Sequence, residues 1–253
     1  MIHIKNHKEV EIMKRGGHML AEVLFEVMKH AKPGVSEIEL DALADRLIHE
    51  KGGEPGFKRV PGWVHATCMS TNDAIVHGIP TDYKLKEGDI IGVDCGVYLE
   101  GFHTDMSQSI IVGASDGYKD EKKETFISVG YQALEEAIKQ VKPGAHIGMI
   151  SKTIQMIVEG GGYSVVRNLI GHGVGKELHE APEIPGYLTK PIEKTPILKE
   201  GMTIAVEVIY NMGKKEMVYD EDGWTIRTKD GSLSGLFERS VVVTRTGHEI
   251  LTK

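Results

Sequence analysis

Leu85-Lys86-Glu87-Gly88-Asp89-Ile90-Ile91-Gly92-Val93-Asp94 returns, with altered letters, as Leu198-Lys199-Glu200-Gly201-Met202-Thr203-Ile204-Ala205-Val206-Glu207. Each copy opens on a Leu-Lys-Glu-Gly turn, runs into an apolar β-type stretch and closes on a carboxylate. Upstream the parallel continues, with Lys32-Pro33-Gly34 ending one helical stretch and Lys142-Pro143-Gly144 ending another. Turn chemistry alone accounts for one Lys-Glu-Gly before a strand. The same order of punctuation twice points to an internal duplication of a helix-helix-strands unit. The expectation is a single domain over 1–253, with repeats of about 1–115 and 116–253 pairing as pseudo-symmetric halves of one core.

The intervening segments fit that plan. From about Lys8 to Ala31, Ile12, Met13, Met19, Leu20, Val23, Leu24, Val27 and Met28 recur at three-and-four spacing, which predicts an amphipathic helix. Ser36 and Glu39 form a capping box for a second helix that stops at Gly52-Gly53. In the other half, helices are expected from about Asp120 to Val141 and from about Ile147 to Val158. Strands are expected at Ile90–Tyr98 and Phe102–Val112 around a Leu99-Glu100-Gly101 turn, and at 202–210, 224–228 and 236–244. Residues 54–67, interrupted by Pro55, Gly56, Pro61 and Gly62, read as loop.

The acids inside those strands need cations. Asp94 and Asp105 flank the hairpin turn symmetrically, so a simple register sets them opposite each other on one face, where like charges repel. Glu207 and Glu238 also interrupt apolar strands. Burying such ions unpaired costs several kcal/mol each, roughly, and neither hairpin strand offers a Lys or Arg to face the pair. His103 is the nearest candidate on the Asp105 face. A divalent metal site explains all four carboxylates together.

Gly171-His172-Gly173-Val174-Gly175-Lys176-Glu177-Leu178-His179-Glu180-Ala181-Pro182 supplies nitrogen. Its glycines and proline predict a loop presenting two imidazoles. His172 is read as the metal ligand and His179 as free for substrate. Glu177 follows Lys176 where a phosphate loop needs Ser or Thr, so that reading is set aside. One histidine with four carboxylates suits Mn, Fe(II), Co or Zn. Two such metals roughly 3.5–4 Å apart can activate a water and polarise a carbonyl. His77, in Val76-His77-Gly78-Ile79-Pro80, is by itself structural or a surface residue.

Composition bounds the rest. A formal charge of -7 argues against a phosphate-neutralising nucleic-acid face. Two cysteines, Cys68 and Cys95, argue against a disulfide framework and suit a reducing compartment. No apolar run reaches membrane-spanning length, and the first residues lack a signal-peptide core. A soluble cytoplasmic protein is expected.

Together these residues resemble the type I methionine aminopeptidases. The resemblance runs through Ser70-Thr71-Asn72, His77-Gly78-Ile79-Pro80, Val93-Asp94, Gly101-Phe102-His103-Thr104-Asp105, the Gly171–Pro182 segment, Gly201-Met202-Thr203, Asp222-Gly223-Trp224-Thr225 and Glu238. It implies an α+β pita-bread (creatinase/aminopeptidase) fold: a curved antiparallel sheet with helices behind it and a pseudo-twofold axis. It implies two divalent metals on Asp94, Asp105, His172, Glu207 and Glu238, with Asp105 and Glu238 bridging. A metal-activated hydroxide would attack the carbonyl of an N-terminal Met preceding a small residue. Glu207 would move the proton, His77 and His179 would contact substrate, and Cys68, Leu178 and Trp224 would line the methionine pocket. Substrates would be peptides and nascent chains, with transient ribosome contact, no membrane or nucleic-acid partner, and a monomeric enzyme.

Three features depart from the family pattern. Val208 follows Glu207 where proline is usual, Arg239-Ser240 follows Glu238 where His-Thr is usual, and Phe57–Thr67 is unlike the common short loop before the pocket cysteine. They bear on side-chain preference and rate, and suggest a divergent or accessory copy. The rival functions are an X-Pro peptidase of the same fold, which usually carries an additional N-terminal domain, and a peptide-binding module that has lost its metals. The five filled ligand positions disfavour the second.

Overall fold

All four expected helices form: α1 (His7–His30), α2 (Glu37–Glu50), α3 (Glu121–Ile138) and α4 (Ile147–Gly160). They are seen in a computed structural model that describes residues 2–253. The Ser36 backbone N–H donates to the Glu39 carboxylate at 2.7 Å, closing the expected box on α2. On α1 the cap is Asn6, whose Oδ1 accepts from the Lys8 and Glu9 N–H groups while Glu9 returns a bond to the Asn6 N–H.

The first half contributes β1 (Glu54–Pro55), β2 (Thr67–Thr71), β3 (Ala74–Val76), β4 (Ile90–Leu99) and β5 (Phe102–Ile111). The second contributes β6 (Ser164–Val165), β7 (Ile170–Gly173), β8 (Glu180–Pro185), β9 (Thr203–Asn211) and β10 (Met217–Tyr219). It ends with β11 (Ile226–Thr228), β12 (Ser234–Val243) and β13 (His248–Ile250). The large sheet is antiparallel and runs β1-β4-β5-β12-β9-β7-β8, with β2, β6 and β13 added at its sides. Its centre is therefore β5 of one half against β12 of the other. A smaller sheet runs β10-β11-β3.

The repeated letters sit in repeated hydrogen bonds. Gly34 N–H donates to Leu85 O and Leu85 N–H to Val35 O; Gly144 N–H donates to Leu198 O and Leu198 N–H to Ala145 O. In both cases the Leu-Lys-Glu-Gly turn is tied back to the segment entering the second helix.

Alternation along the strands separates two faces. Val93, Cys95, Val97 and Met106 turn to a core shared with α1 and α2, and Val206, Val208, Tyr210 and Phe237 to a core shared with α3 and α4. The other face of the same four strands carries the acids.

Three local readings change. The hairpin turn is the two-residue Glu100-Gly101, both at positive φ (47° and 94°), the pattern whose twist matches antiparallel strands. The register is shifted accordingly: Asp94 faces Ser107, and Asp105 faces Gly96. The two aspartates share a face diagonally and are not directly opposite. Residues 54–67 are not all loop, since β1 and a 3-10 turn over Gly56–Arg59 precede β2. Finally, His172 lies in β7, so only His179 is presented from the glycine-rich loop.

Candidate metal centre

The register builds the site. Directly paired residues share a face, and Cys68, Asp94, Ser107, Glu238 and Glu207 form one continuous rung across β2, β4, β5, β12 and β9. Two residues along each strand, on the same face, lies a second rung. There Gly96 faces Asp105, the Ser240 hydroxyl accepts the Asp105 N–H at 2.9 Å, Ser240 faces Ala205, and Ala205 faces His172. All four acids and His172 thus stand on adjacent rungs at the centre of the sheet.

Distances agree. His172 Nε2 lies 3.9 Å from Asp105 Oδ2 and 3.8 Å from Glu238 Oε1, and donor atoms of these three residues fall within 4.8 Å of one another. His172 Nδ1 sits 2.9 Å from Gly173 O. Donation from Nδ1–H to that carbonyl leaves the Nε2 lone pair free, the arrangement that orients a histidine ligand.

The donor set fits divalent cations. Asp94 Oδ1 and Glu238 Oε1 are buried with no hydrogen-bond partner, which is costly for an acid unless something else occupies its lone pairs. Burial, then neighbouring carboxylates, push Asp94 and Glu238 well above the usual carboxylate range. Burial raises Asp105 to about 7, and burial with Asp105's charge raises Glu207 to about 8. His172 is driven down to about 4 by burial, with His179 adding to it, so its imidazole is neutral and available to a metal. The same cause acts on His103, lowered to about 4 by burial and then by Arg59. It is therefore neutral and does not serve as the balancing cation.

A cavity of about 320 Å³ opens over the rungs and is lined by every residue singled out above for metal, catalysis or substrate. His77 and His179 reach its surface. Burial lowers both, and His179 adds to the effect on His77. The His179 ring lies 4.3 Å from that of His172. His77 holds a positive φ of 55°, and Gly78 beside it allows no side chain, since a Cβ there would stand 2.0 Å from Met69 O. The end of the cavity beyond Asp94 is apolar: Phe57, Trp63, Cys68 and Leu178 are buried together, with Trp224 packed against them. Burial pushes the Cys68 thiol up, so it packs as a neutral group and is no nucleophile.

The unusual segment before Cys68 proves part of this wall. Trp63 meets Trp224 edge-on at 5.2 Å, and Phe57 and Val60 also line the cavity. Asp41 on α2 fixes the segment's exit, accepting from Ala66 N–H, Thr67 N–H and the Thr67 hydroxyl at 2.7–2.9 Å. The other two departures lie behind the acids. Arg239 turns to the helix side, donating to Glu238 O at 2.7 Å and Ser107 O at 3.1 Å. It places a buried cation beneath the acid rung, bridging β12 and β5. Val208 joins the core against α3 and α4.

Residues 11–245 match the model of metallopeptidase family M24. The chain belongs to that family. Methionine aminopeptidase 1 of Bacillus subtilis is 41% identical over 254 residues, covering 100% of both chains. The methionine aminopeptidase of Escherichia coli K12 is 40% identical, covering 99% of this chain and 94% of its own. The crystal structure of the Thermotoga maritima methionine aminopeptidase superposes with a TM-score of 0.95 at 40% identity, covering 100% of both chains. The Pyrococcus furiosus prolidase shares the fold, with a TM-score of 0.77 at 24% identity, but this chain spans only 65% of its length. The architecture is the family's pita-bread fold, and this M24 chain is a metal-dependent peptidase.

Proposed function

We propose that this chain removes N-terminal methionine from peptides and nascent proteins whose second residue is small. The observation that carries the reading is the juxtaposition of two rungs carrying four acids and His172 with one apolar pocket. Asp94, Asp105, His172, Glu207 and Glu238 would hold two divalent ions (Mn, Fe(II), Co or Zn). Bound metals would supply Lewis-acid polarisation of the scissile carbonyl and a water acid enough to ionise near neutral pH.

This chain's own residues do the rest. Cys68, Leu178 and Trp224, with Trp63 and Phe57 behind them, offer a methionine side chain an apolar slot without a charged group. His179 and His77 are neutral and offer N–H donors and lone pairs to the substrate's backbone. Glu207, the ligand less withdrawn from solvent, takes the proton of the attacking water and returns it to the leaving amine. From the segment before Cys68, Phe57, Val60 and Trp63 complete the wall of this pocket.

We read residues 1–253 as a single domain of two halves, 1–115 and 116–253; the matched hydrogen bonds at Leu85 and Leu198 support this. A monomer acting in the cytoplasm, in transient contact with ribosomes, completes the reading. Among the described residues no helix is long and apolar enough to cross a membrane.

The test is a comparison of metal-loaded protein on Met-Ala-Ser and on an Ala-Pro peptide. Free Met from the first is expected. Cleavage of the Pro peptide alone would replace the methionine assignment with an X-Pro activity. Binding of both peptides without cleavage of either would point to a binding module.

A further inference from the structure

Lys5 carries a buried charge away from the metal site. Lys5 lies ahead of α1, and its side chain retains 1% exposure. Its backbone N–H donates to Gly201 O at 2.8 Å, in the turn that opens β9. Its ammonium reaches Glu180 Oε2 at 2.5 Å, and the only other oxygen it approaches among the described residues is His3 O at 3.4 Å. The second Glu180 oxygen accepts the Glu177 N–H at 3.2 Å.

The path of that lysine explains a glycine. A Cβ on Gly175 would stand 2.3 Å from Lys5 Cε and 2.5 Å from Nζ. Gly175 therefore leaves the slot through which Lys5 crosses to Glu180. Gly175 is itself fixed, its carbonyl accepting the His103 N–H of β5 at 2.6 Å. Residues 175–180, which carry Leu178 and His179, are thus tied at one end to β5 and at the other by the backbone pairing of Glu180 with Gly173 and by its side-chain bond to Lys5.

We propose that Lys5 is a positioning residue for His179. Its ion pair with Glu180, across the slot left by Gly175, holds the loop bearing Leu178 and His179 over the substrate cavity. The inference rests on the reading of His179 as a substrate contact. The lysine is withdrawn from water and the carboxylate mostly so, at 1% and 12% exposure; deleting Glu180 strands a buried ammonium, and deleting Lys5 leaves Glu180 with the Glu177 N–H alone, so that the loop relaxes toward water. His172 has an anchor besides the Gly173–Glu180 pairing of β7 with β8: in β7 it also pairs with Ala205 of β9. The lock therefore governs how substrate is held, leaving metal binding intact.

The experiment compares metal-loaded wild type with Lys5→Met, Glu180→Gln and the double variant. It reads Mn(II) affinity by calorimetry, kcat and KM on Met-Ala-Ser, and amide hydrogen exchange. Lys5→Met is expected to lower kcat/KM at least tenfold, mainly through KM, with Mn(II) affinity within twofold of wild type. Exchange at 175–180 should quicken at least tenfold while β9 is unchanged. The double variant, with no orphaned charge, should recover part of both losses. Wild-type kcat/KM and exchange in Lys5→Met would overturn the proposal, as would loss of metal in step with activity. A fall in thermal stability alone, with kcat/KM per folded molecule unchanged, would also overturn it by making Lys5 merely structural. If Lys5→Met does not fold, the near-isosteric Glu180→Gln questions the same contact with the same outcomes. If wild type cleaves no Met peptide, the functional reading fails, while exchange and metal affinity still decide whether the lock exists.

Discussion

Stripping metal from this protein should make its stability fall as pH rises from 5 to 8. The acids on the two rungs face one another with no Lys or Arg among them and His172 held neutral, and burial raises Asp105 to about 7 and Glu207 to about 8. In the unfolded chain both titrate near pH 4. Between those values the folded state binds more protons than the unfolded state, so unfolding free energy declines with pH and levels off above the folded values. At about 1.4 kcal/mol per pH unit, flattening toward pH 7, Asp105 alone accounts for roughly 2 kcal/mol between pH 5 and 7. Ionising Glu207 beside it deepens the loss toward pH 8. Divalent cations reverse the sign, because the folded state then favours the ionised acids. Urea unfolding of chelated and Mn(II)-loaded protein at pH 5, 6.5 and 8 measures both curves. A chelated protein whose stability is flat or rises over that range would refute the claim that these carboxylates share one unbalanced site.

The histidines should divide their labour: His172→Ala should lose metal, whereas His179→Ala should keep its metal content by elemental analysis and lose about 10²–10⁴ in turnover. Equal metal loss in both would undo that assignment. Asp41→Ala strands two buried N–H groups ahead of β2, so it should cost about 3 kcal/mol and lower the melting temperature by roughly 10 °C in a scan of metal-loaded protein. Trp224→Ala opens the apolar wall it shares with Trp63; KM for Met-Ala-Ser should rise about tenfold, the order expected for losing part of an apolar pocket, with a smaller change in kcat.

Much of the site was legible because its chemistry contradicts its surroundings. An acid inside an apolar strand is an expensive residue, and Asp94, Glu207 and Glu238 stood out for that reason. Punctuation carried the fold: Lys-Pro-Gly and Leu-Lys-Glu-Gly recur because each tethers a strand-opening turn to the entry of a helix. The register was not legible. The two-residue turn depends on Glu100 accepting a positive φ, and the register it sets makes Asp105 a diagonal neighbour of Asp94 instead of its direct partner.

Contacts between distant segments were equally hidden. Trp63 looked like one residue in a broken loop, and only the fold brings it against Trp224. No local motif marks Asp41 or Lys5, yet each is buried against a partner far along the chain. The Gly171–Gly175 run announced close approach without saying to what. Gly173 clears the Ala181 carbonyl, where a Cβ would stand 2.3 Å away, and Gly175 clears Lys5.

The central claim is that Asp94, Asp105, His172, Glu207 and Glu238 together bind the metal on which peptide cleavage depends. Chelated protein titrated with Mn(II), while Met release from Met-Ala-Ser is followed, tests it most directly. The account predicts no release before metal, a rise with each addition, and saturation at no more than two equivalents. Release by the chelated protein, or full metal binding without any release, would contradict it.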